Sequence, residues 1–292
     1  MRDGLLVIDK PRGMSSHDVV NRVRRTTHVT RAGHAGTLDP LASGVLMLCL
    51  GQATRLAEYL GASDKTYLAE LRLGQQTPSY DCETPVSEER PWQHLTLEDL
   101  ESALPRFIGE IAQVPPMYSA VKLRGKPLYK MARRGISVAR EARQVTIYAL
   151  EVVRWEPPLA SLRVHCSSGT YIRSLAHDLG QALGCGAYMA GLVRESAGAF
   201  TLAEAIALDA LSADNWQTHL LPMQTGLSYM RAVQLDEAGM AEVRHGRRVS
   251  AEDVVNEDQL GYALAPDGDL VAILRYVPEA ASWQPIKVLA HD

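Results

Sequence analysis

Cysteine is scarce and unpatterned in this chain. Four residues, Cys49, Cys82, Cys166 and Cys185, are scattered with no CxxC spacing and no Cys/His ligand pairing. That excludes a disulfide framework and a structural zinc site, and it leaves core thiols as the expectation. Long apolar runs are missing too: the oiliest stretch, residues 45–50, lies between glycines, and no run of 18 apolar residues exists. No membrane span is expected. The opening MRDGLLVIDKP has too short an apolar centre and no small-residue cleavage site for a secretory signal, which points to the cytoplasm. Neither a GxGxxG loop, a Walker loop nor a βαβ repeat occurs, so dinucleotide-binding and nucleotide triphosphatase folds are disfavoured.

What is present is an ordinary globular composition, 292 residues with 46% hydrophobic and 22% charged. This is enough for one large core, or one core with a small companion domain. The formal charge of −4 hides an uneven distribution. Between Lys122 and Arg143 there are eight Lys or Arg against one acid, Glu141, so this segment carries +7 and the rest of the chain −11. A charge run is ordinarily a solvated face. Here its glycines, Pro127 and flanking tyrosines fit an exposed arm that contacts phosphates better than a uniform helix face.

The hydrophobic pattern predicts an irregular mixture of elements. Residues 5–8 read as a short buried strand, and Ser15 and Ser16 cap a helix with Val19, Val20 and Val23 on one side. Residues 30–40 read as a polar loop, 45–50 as a buried strand and 53–60 as a short helix. Residues 65–73 alternate, with Tyr67, Ala69, Leu71 and Leu73 on one face. Residues 77–94 are acidic and contain proline, which suggests a surface loop; Thr96 then caps a helix. Two strands flank the turn Glu156-Pro157-Pro158, and a regular helix through Ile172, Leu175, Leu179 and Leu183 stops at Gly184 and Gly186. The order is that of an α+β fold. Beyond Gly226 come short strands around the turn Pro266-Asp267-Gly268, which form either a small barrel-like domain or the completion of the main sheet.

The stretch Gly33-His34-Ala35-Gly36-Thr37-Leu38-Asp39-Pro40-Leu41-Ala42-Ser43-Gly44 surrounds one carboxylate with small residues just before a buried strand. Such a loop can hold Asp39 at a pocket floor, although an Asp before proline is ordinarily a turn residue. GHAGTLDPLASGVL resembles the catalytic motif of the bacterial tRNA pseudouridine synthase family that acts on uridine 55 of the T loop. Four further stretches are similar to that family in its order: DKPRGMSSHDVV at 9–20, SDKTYLAELRLG at 63–74, VPPMYSAVKLRGKPLYKMARRG at 114–135 and CSSGTYIRSLAHDLGQALGCGA at 166–187.

The resemblance implies a pseudouridine synthase fold, a mixed, mainly antiparallel sheet flanked by helices over residues 1–228, with a β-rich PUA-like domain over 229–292. It implies cleavage of the C1′ to N1 bond of a uridine, rotation of the base and rejoining through C5, with no cofactor and no metal. Asp39 is then the nucleophile or base. It must be ionised in a partly dry pocket, so a nearby cation is required. Arg173 matches the arginine paired with that aspartate, Tyr67 the tyrosine that stacks on the uracil, and Leu192 an apolar wall of the uracil pocket. Lys10 and Tyr171 match wall or structural positions, and His34 the histidine that fills the gap left by a flipped base.

The basic arm matches the family's inserted thumb loop. Lys122, Arg124, Lys126, Lys130, Arg133, Arg134, Arg140 and Arg143 are then phosphate contacts that give affinity and register rather than base specificity. Expected partners are the T arm of tRNA and no membrane, and the expected state is a monomer. The chain departs from the family pattern at Ser168, where many members carry Lys, and at Val193 beside Arg194, where many carry paired arginines. Two other readings remain: a noncatalytic tRNA-binding or folding module, and an RNA glycosidase, which ordinarily needs a second carboxylate.

Overall fold

Alternation is obeyed along the Lys65–Leu73 strand: its odd positions are buried and its even ones half-exposed, so Tyr67, Ala69, Leu71 and Leu73 share a face. The structure is a computed structural model that describes residues 3–119, 121–123, 125–251 and 259–289. In it this strand lies near the middle of a ten-stranded sheet. The spatial order is Ile206–Ala207, Gly4–Lys10, Ala42–Leu50, Ala187–Ala197, Lys65–Leu73, Leu159–Cys166, Arg143–Glu156 and Gly109–Gln113, with Ala32–Ala35 on Ala42–Leu50 and Phe200–Thr201 on Ala187–Ala197. Two pairings are parallel, Gly4–Lys10 with Ile206–Ala207 and Ala42–Leu50 with Ala187–Ala197. The others in this sheet are antiparallel.

The near-continuous apolar runs of Gly4–Lys10 and Ala42–Leu50 follow from burial on both faces. On one face Leu6, Ile8, Leu46 and Leu48 pack with two helices. Ser16–Thr27 contributes Val19, Val20 and Val23, and its first turn is closed by a reciprocal Ser15–Asp18 capping box. Ile172–Ala182 contributes Ile172, Leu175 and Leu179. On the other face Leu5, Val7, Val45 and Met47 meet Leu270, Ile273 and Leu289 of the C-terminal region.

That region forms its own five-stranded sheet, in the order Arg231–Gln234, Leu260–Leu264, Leu270–Val277, Ser282–Val288 and Val249–Ser250. The idea that these strands complete the main sheet is thereby overturned. They bury a separate cluster of Leu235, Val243, Val271, Leu274 and Trp283, beneath a helix, Glu237–Arg244, capped by Asp236.

Other expectations need correction. Residues 30–40 are not all loop: Ala32–Ala35 is a strand, because pairing with Ala42–Leu50 satisfies its backbone groups. Residues 53–60 are divided evenly between the end of a 3₁₀ helix, Gly51–Leu56, and one α-helical turn, Ala57–Leu60. Three cysteines are core thiols, but Cys82 is exposed. The acidic loop 77–94 is only partly a surface loop, since Ser79 and Asp81 are fully buried. The basic arm begins as a two-stranded ribbon, Lys122–Leu123 with Lys126–Pro127, and continues into the short helix Leu128–Ala132.

Candidate active site

Asp39 lies in the tight connection between Ala32–Ala35 and Ala42–Leu50, and local hydrogen bonds fix that connection. Leu38 N donates to Ser16 Oγ (2.8 Å), Ser16 Oγ donates to Leu38 O (3.0 Å), and Ala42 N donates to Asp39 O (3.0 Å). The helix that carries Ser16 therefore holds the loop in place. The Asp39 side chain, one-third exposed, opens into a cavity of about 420 Å³, within the range of ligand pockets. Tyr67, Tyr171, Arg173 and Leu192 line the same cavity, as do Lys65, Glu83, Tyr118, Ser119, Tyr129, Arg133 and Arg194.

Arg173 is 5% exposed and links two carboxylates: its Nε lies 3.1 Å from Asp39 Oδ2 and its Nη1 3.1 Å from Asp81 Oδ2. Burial pushes the Asp39 carboxyl above the usual carboxylate range; Arg173 pulls it down, Asp81 pushes it further up and Lys10 opposes that. Asp81 is held by its own loop. It accepts from Ser79 Oγ (2.5 Å) and Glu83 N (2.9 Å) through Oδ1, and its backbone carbonyl accepts from Thr77 Oγ1 (2.7 Å). Burial, with Asp81 and Asp39 adding to it, also raises Glu83.

Tyr67 is buried at the pocket wall. Burial pushes its phenol up, and the positive charge of Arg194 works against that. Arg194 is 1% exposed and its guanidinium is fixed by backbone carbonyls, Nε to Val45 O (2.7 Å) and Nη2 to Gly36 O (3.2 Å). Its backbone pairs with both Tyr67 and Gly44. Gly44 has φ +100°, and a Cβ there would lie 2.3 Å from Arg194 O, so only glycine permits this approach.

The remaining sequence-derived residues are placed unevenly. Tyr171 precedes the Ile172–Ala182 helix and exchanges backbone hydrogen bonds with the Gln113 side chain (2.7 and 3.1 Å). Lys10 does not line the cavity: it is buried, with Nζ donating to Ala42 O (2.6 Å) and Pro11 O (2.9 Å), and burial brings it down to about 8. His34 also stands off the cavity wall, half-buried on Ala32–Ala35, with Nδ1 lacking a partner among the described residues. Burial, Arg194 and His17 lower its pKa.

In the arm, Arg133 reaches the cavity with its guanidinium 5.6 Å from the Tyr129 ring centre. Lys126, Lys130, Arg134 and Arg143 are exposed. Arg140 is not a freely exposed cation, because it is half-buried and donates to Pro115 O (3.0 Å). The Lys122 side chain and Arg124 lie outside the described residues. Sequence reasoning missed Lys65 and Arg194 as buried charges of the pocket wall, and Asp81 as the buried carboxylate behind Arg173. For Arg194 a signal existed, since it stands two residues after Leu192 on the same strand and so faces the same side; for Asp81 there was none. Among the described residues no three His, Cys, Asp or Glu side chains converge as a metal site.

Fold and site together define a class: mixed-sheet proteins with a carboxylate–arginine pair in a pocket beside a basic arm. Solved structures similar in fold include an H/ACA RNP bound to a substrate RNA containing 2′-deoxyuridine. It is 26% identical at a TM-score of 0.76, over 99% of this chain and 85% of that one. A Cbf5-Nop10-Gar1 complex is similar, at 27% identity and a TM-score of 0.76, over 99% and 84%. Among curated relatives, tRNA pseudouridine synthase B of Dehalococcoides mccartyi (strain CBDB1) is 43% identical over 98% of this chain and 96% of its own. That of Burkholderia lata is 49% identical over 85% and 77%. The family model for the TruB family pseudouridylate synthase (N terminal domain) matches residues 24–172, and that for the tRNA pseudouridylate synthase B C-terminal domain matches 173–233. The chain belongs to the TruB family of pseudouridylate synthases.

Proposed function

We propose that the protein isomerises uridine 55 in the T loop of tRNA to pseudouridine. The observation that carries this reading is the Asp39 carboxylate held 3.1 Å from a buried Arg173 in a cavity walled by Tyr67 and Leu192. A nucleotide turned out of the T loop enters the cavity, and the base rests against Tyr67 and Leu192. Asp39, kept ionised by Arg173, either attacks the nucleotide covalently or removes a ribose proton, so that the C1′ to N1 bond breaks. The cavity retains the detached base, which turns and rejoins through C5. Tyr67, which lines the same cavity, assists the loss of the C5 proton. Lys126, Lys130, Arg133, Arg134 and Arg143, joined by Lys122 and Arg124, grip phosphates of the T arm, and shape governs the choice of RNA. His34 fills the space left in the RNA stack, and the C-terminal sheet adds contacts to the acceptor stem.

The test is incubation of an unmodified tRNA transcript with the parent protein and with Asp39→Asn. Pseudouridine at position 55 with the parent alone supports the proposal. Released uracil instead assigns a glycosidase, and tRNA binding without product in either protein assigns a noncatalytic module.

A further inference from the structure

Arg173 presents Nε to Asp39 while its Nη1 is held by Asp81, and Asp81, joined to Met189 by an isolated bridge, belongs to a loop rather than to a helix or strand. The residue before it, Tyr80, has φ +63°, a left-handed backbone conformation that a bulky side chain adopts only when its surroundings compensate. A stack with His177 is the compensating contact. The Tyr80 ring lies face to face with the His177 imidazole, centroids 3.9 Å apart and planes 15° from parallel.

His177 follows Arg173 by four residues in Ile172–Ala182, so both side chains leave the same helix face. One turn further, Gln181 Nε2 donates to Gln76 Oε1 (2.7 Å). Three consecutive turns of one helix thus engage one stretch of chain, through Asp81 and Tyr80 of the loop and Gln76 of the short strand Gln75–Gln76 that leads into it. Across the loop, Met189 N donates to Tyr80 O (3.0 Å). His177 Nδ1 has no hydrogen-bond partner among the described residues, so the imidazole meets Tyr80 through its face.

We propose that Tyr80 and His177 are positioning residues: their stack sets the loop that holds Asp81, and through Asp81 it aims the Arg173 guanidinium at Asp39. The catalytic consequence rests on the synthase reading above, whereas the geometric one stands apart from it.

The experiment uses the full chain and four variants. Tyr80→Gly removes the ring but accepts the positive φ without strain, and His177→Ala removes the partner with a good helix former. Tyr80→Phe and His177→Phe keep an aromatic face. The first readout is the Arg173 Nε–H resonance by nitrogen-edited NMR, assigned by its loss in Arg173→Lys. It is expected to be sharp in the parent and both Phe variants and broadened by exchange in Tyr80→Gly and His177→Ala. The second readout is single-turnover pseudouridine formation. It is expected to fall on the order of tenfold or more in Tyr80→Gly and His177→Ala, as for a displaced reacting group. The Kd for tRNA and the melting temperature should stay near those of the parent.

An unchanged resonance in both ring-deleting variants overturns the proposal. So does a Tyr80→Phe variant as impaired as Tyr80→Gly, which would assign the role to the hydroxyl. Should Tyr80→Gly fail to fold, His177→Ala decides. A parent that forms no pseudouridine would sink the synthase reading, while the resonance would still judge the stack.

Discussion

Asp39 is held in tension between two effects of similar kind. Its partial burial disfavours the charge that the chemistry needs, and Arg173 restores part of what burial removes. The net displacement is upward, so between its ordinary value of 3.8 and its folded value the native chain holds a proton that the unfolded chain has already lost. Stability from the protonated form is present below that window and is lost as pH rises through it. Asp39→Asn should therefore abolish pseudouridine formation yet leave the protein at pH 7 more stable, by about 1 kcal/mol at most because the side chain keeps contact with water. Calorimetry at pH 7 and pH 4 checks this: the advantage should shrink at the lower pH. Lys10 acts at the other end of the scale. With its ammonium brought down to about 8 by burial, stability should rise as pH climbs from there towards 10.5.

Elements explain why some of the site could be read from the sequence and some could not. Alternation along Lys65–Leu73 put Tyr67 on the buried face, and the Ser15-Ser16 cap and the apolar stripe of Ile172–Ala182 announced the two helices over the core. Such signals are local. Asp81 is a charged residue whose burial depends on a partner far away in the chain, Arg173, and neighbouring residues hold no trace of that; for Arg194 alternation with Leu192 marks the face, but the carbonyls of Gly36 and Val45 that satisfy its guanidinium are equally remote. Ala32–Ala35 escaped notice for a related reason: its four small or polar residues become a strand only because Ala42–Leu50 offers an edge. Gly44 supports a prediction at this scale. Gly44→Ala forces both a left-handed backbone and a collision with Arg194 O, so it should cost about 3 kcal/mol or more and reduce activity through Arg194 and Tyr67. Urea titration beside the single-turnover rate measures both.

For the molecule as a whole, charge and packing divide the work. Replacing Lys126, Lys130, Arg134 and Arg143 with Gln should weaken tRNA binding and flatten the plot of log K against log salt by about 3. The single-turnover rate at saturating enzyme should remain near the parent's. The two sheets share a core in which Ile273 and Leu270 pack among Leu5, Val7 and Met47. Ile273→Ala should cost about 2–5 kcal/mol, and scanning calorimetry should still show one transition rather than two.

The parallel pairing of Ala42–Leu50 with Ala187–Ala197 has a bearing on biosynthesis. Arg194 and Val45, bonded through Nε and a carbonyl, stand 149 positions apart in the chain. Long-range closure of this kind is slow to form. Asp39 leaves the ribosome early, with neither its partner Arg173 nor the pocket residue Arg194 yet made. A nascent chain therefore has no competent pocket until translation has passed the last strand of the wall, and the reaction is withheld from half-made copies that could otherwise engage RNA beside the ribosome.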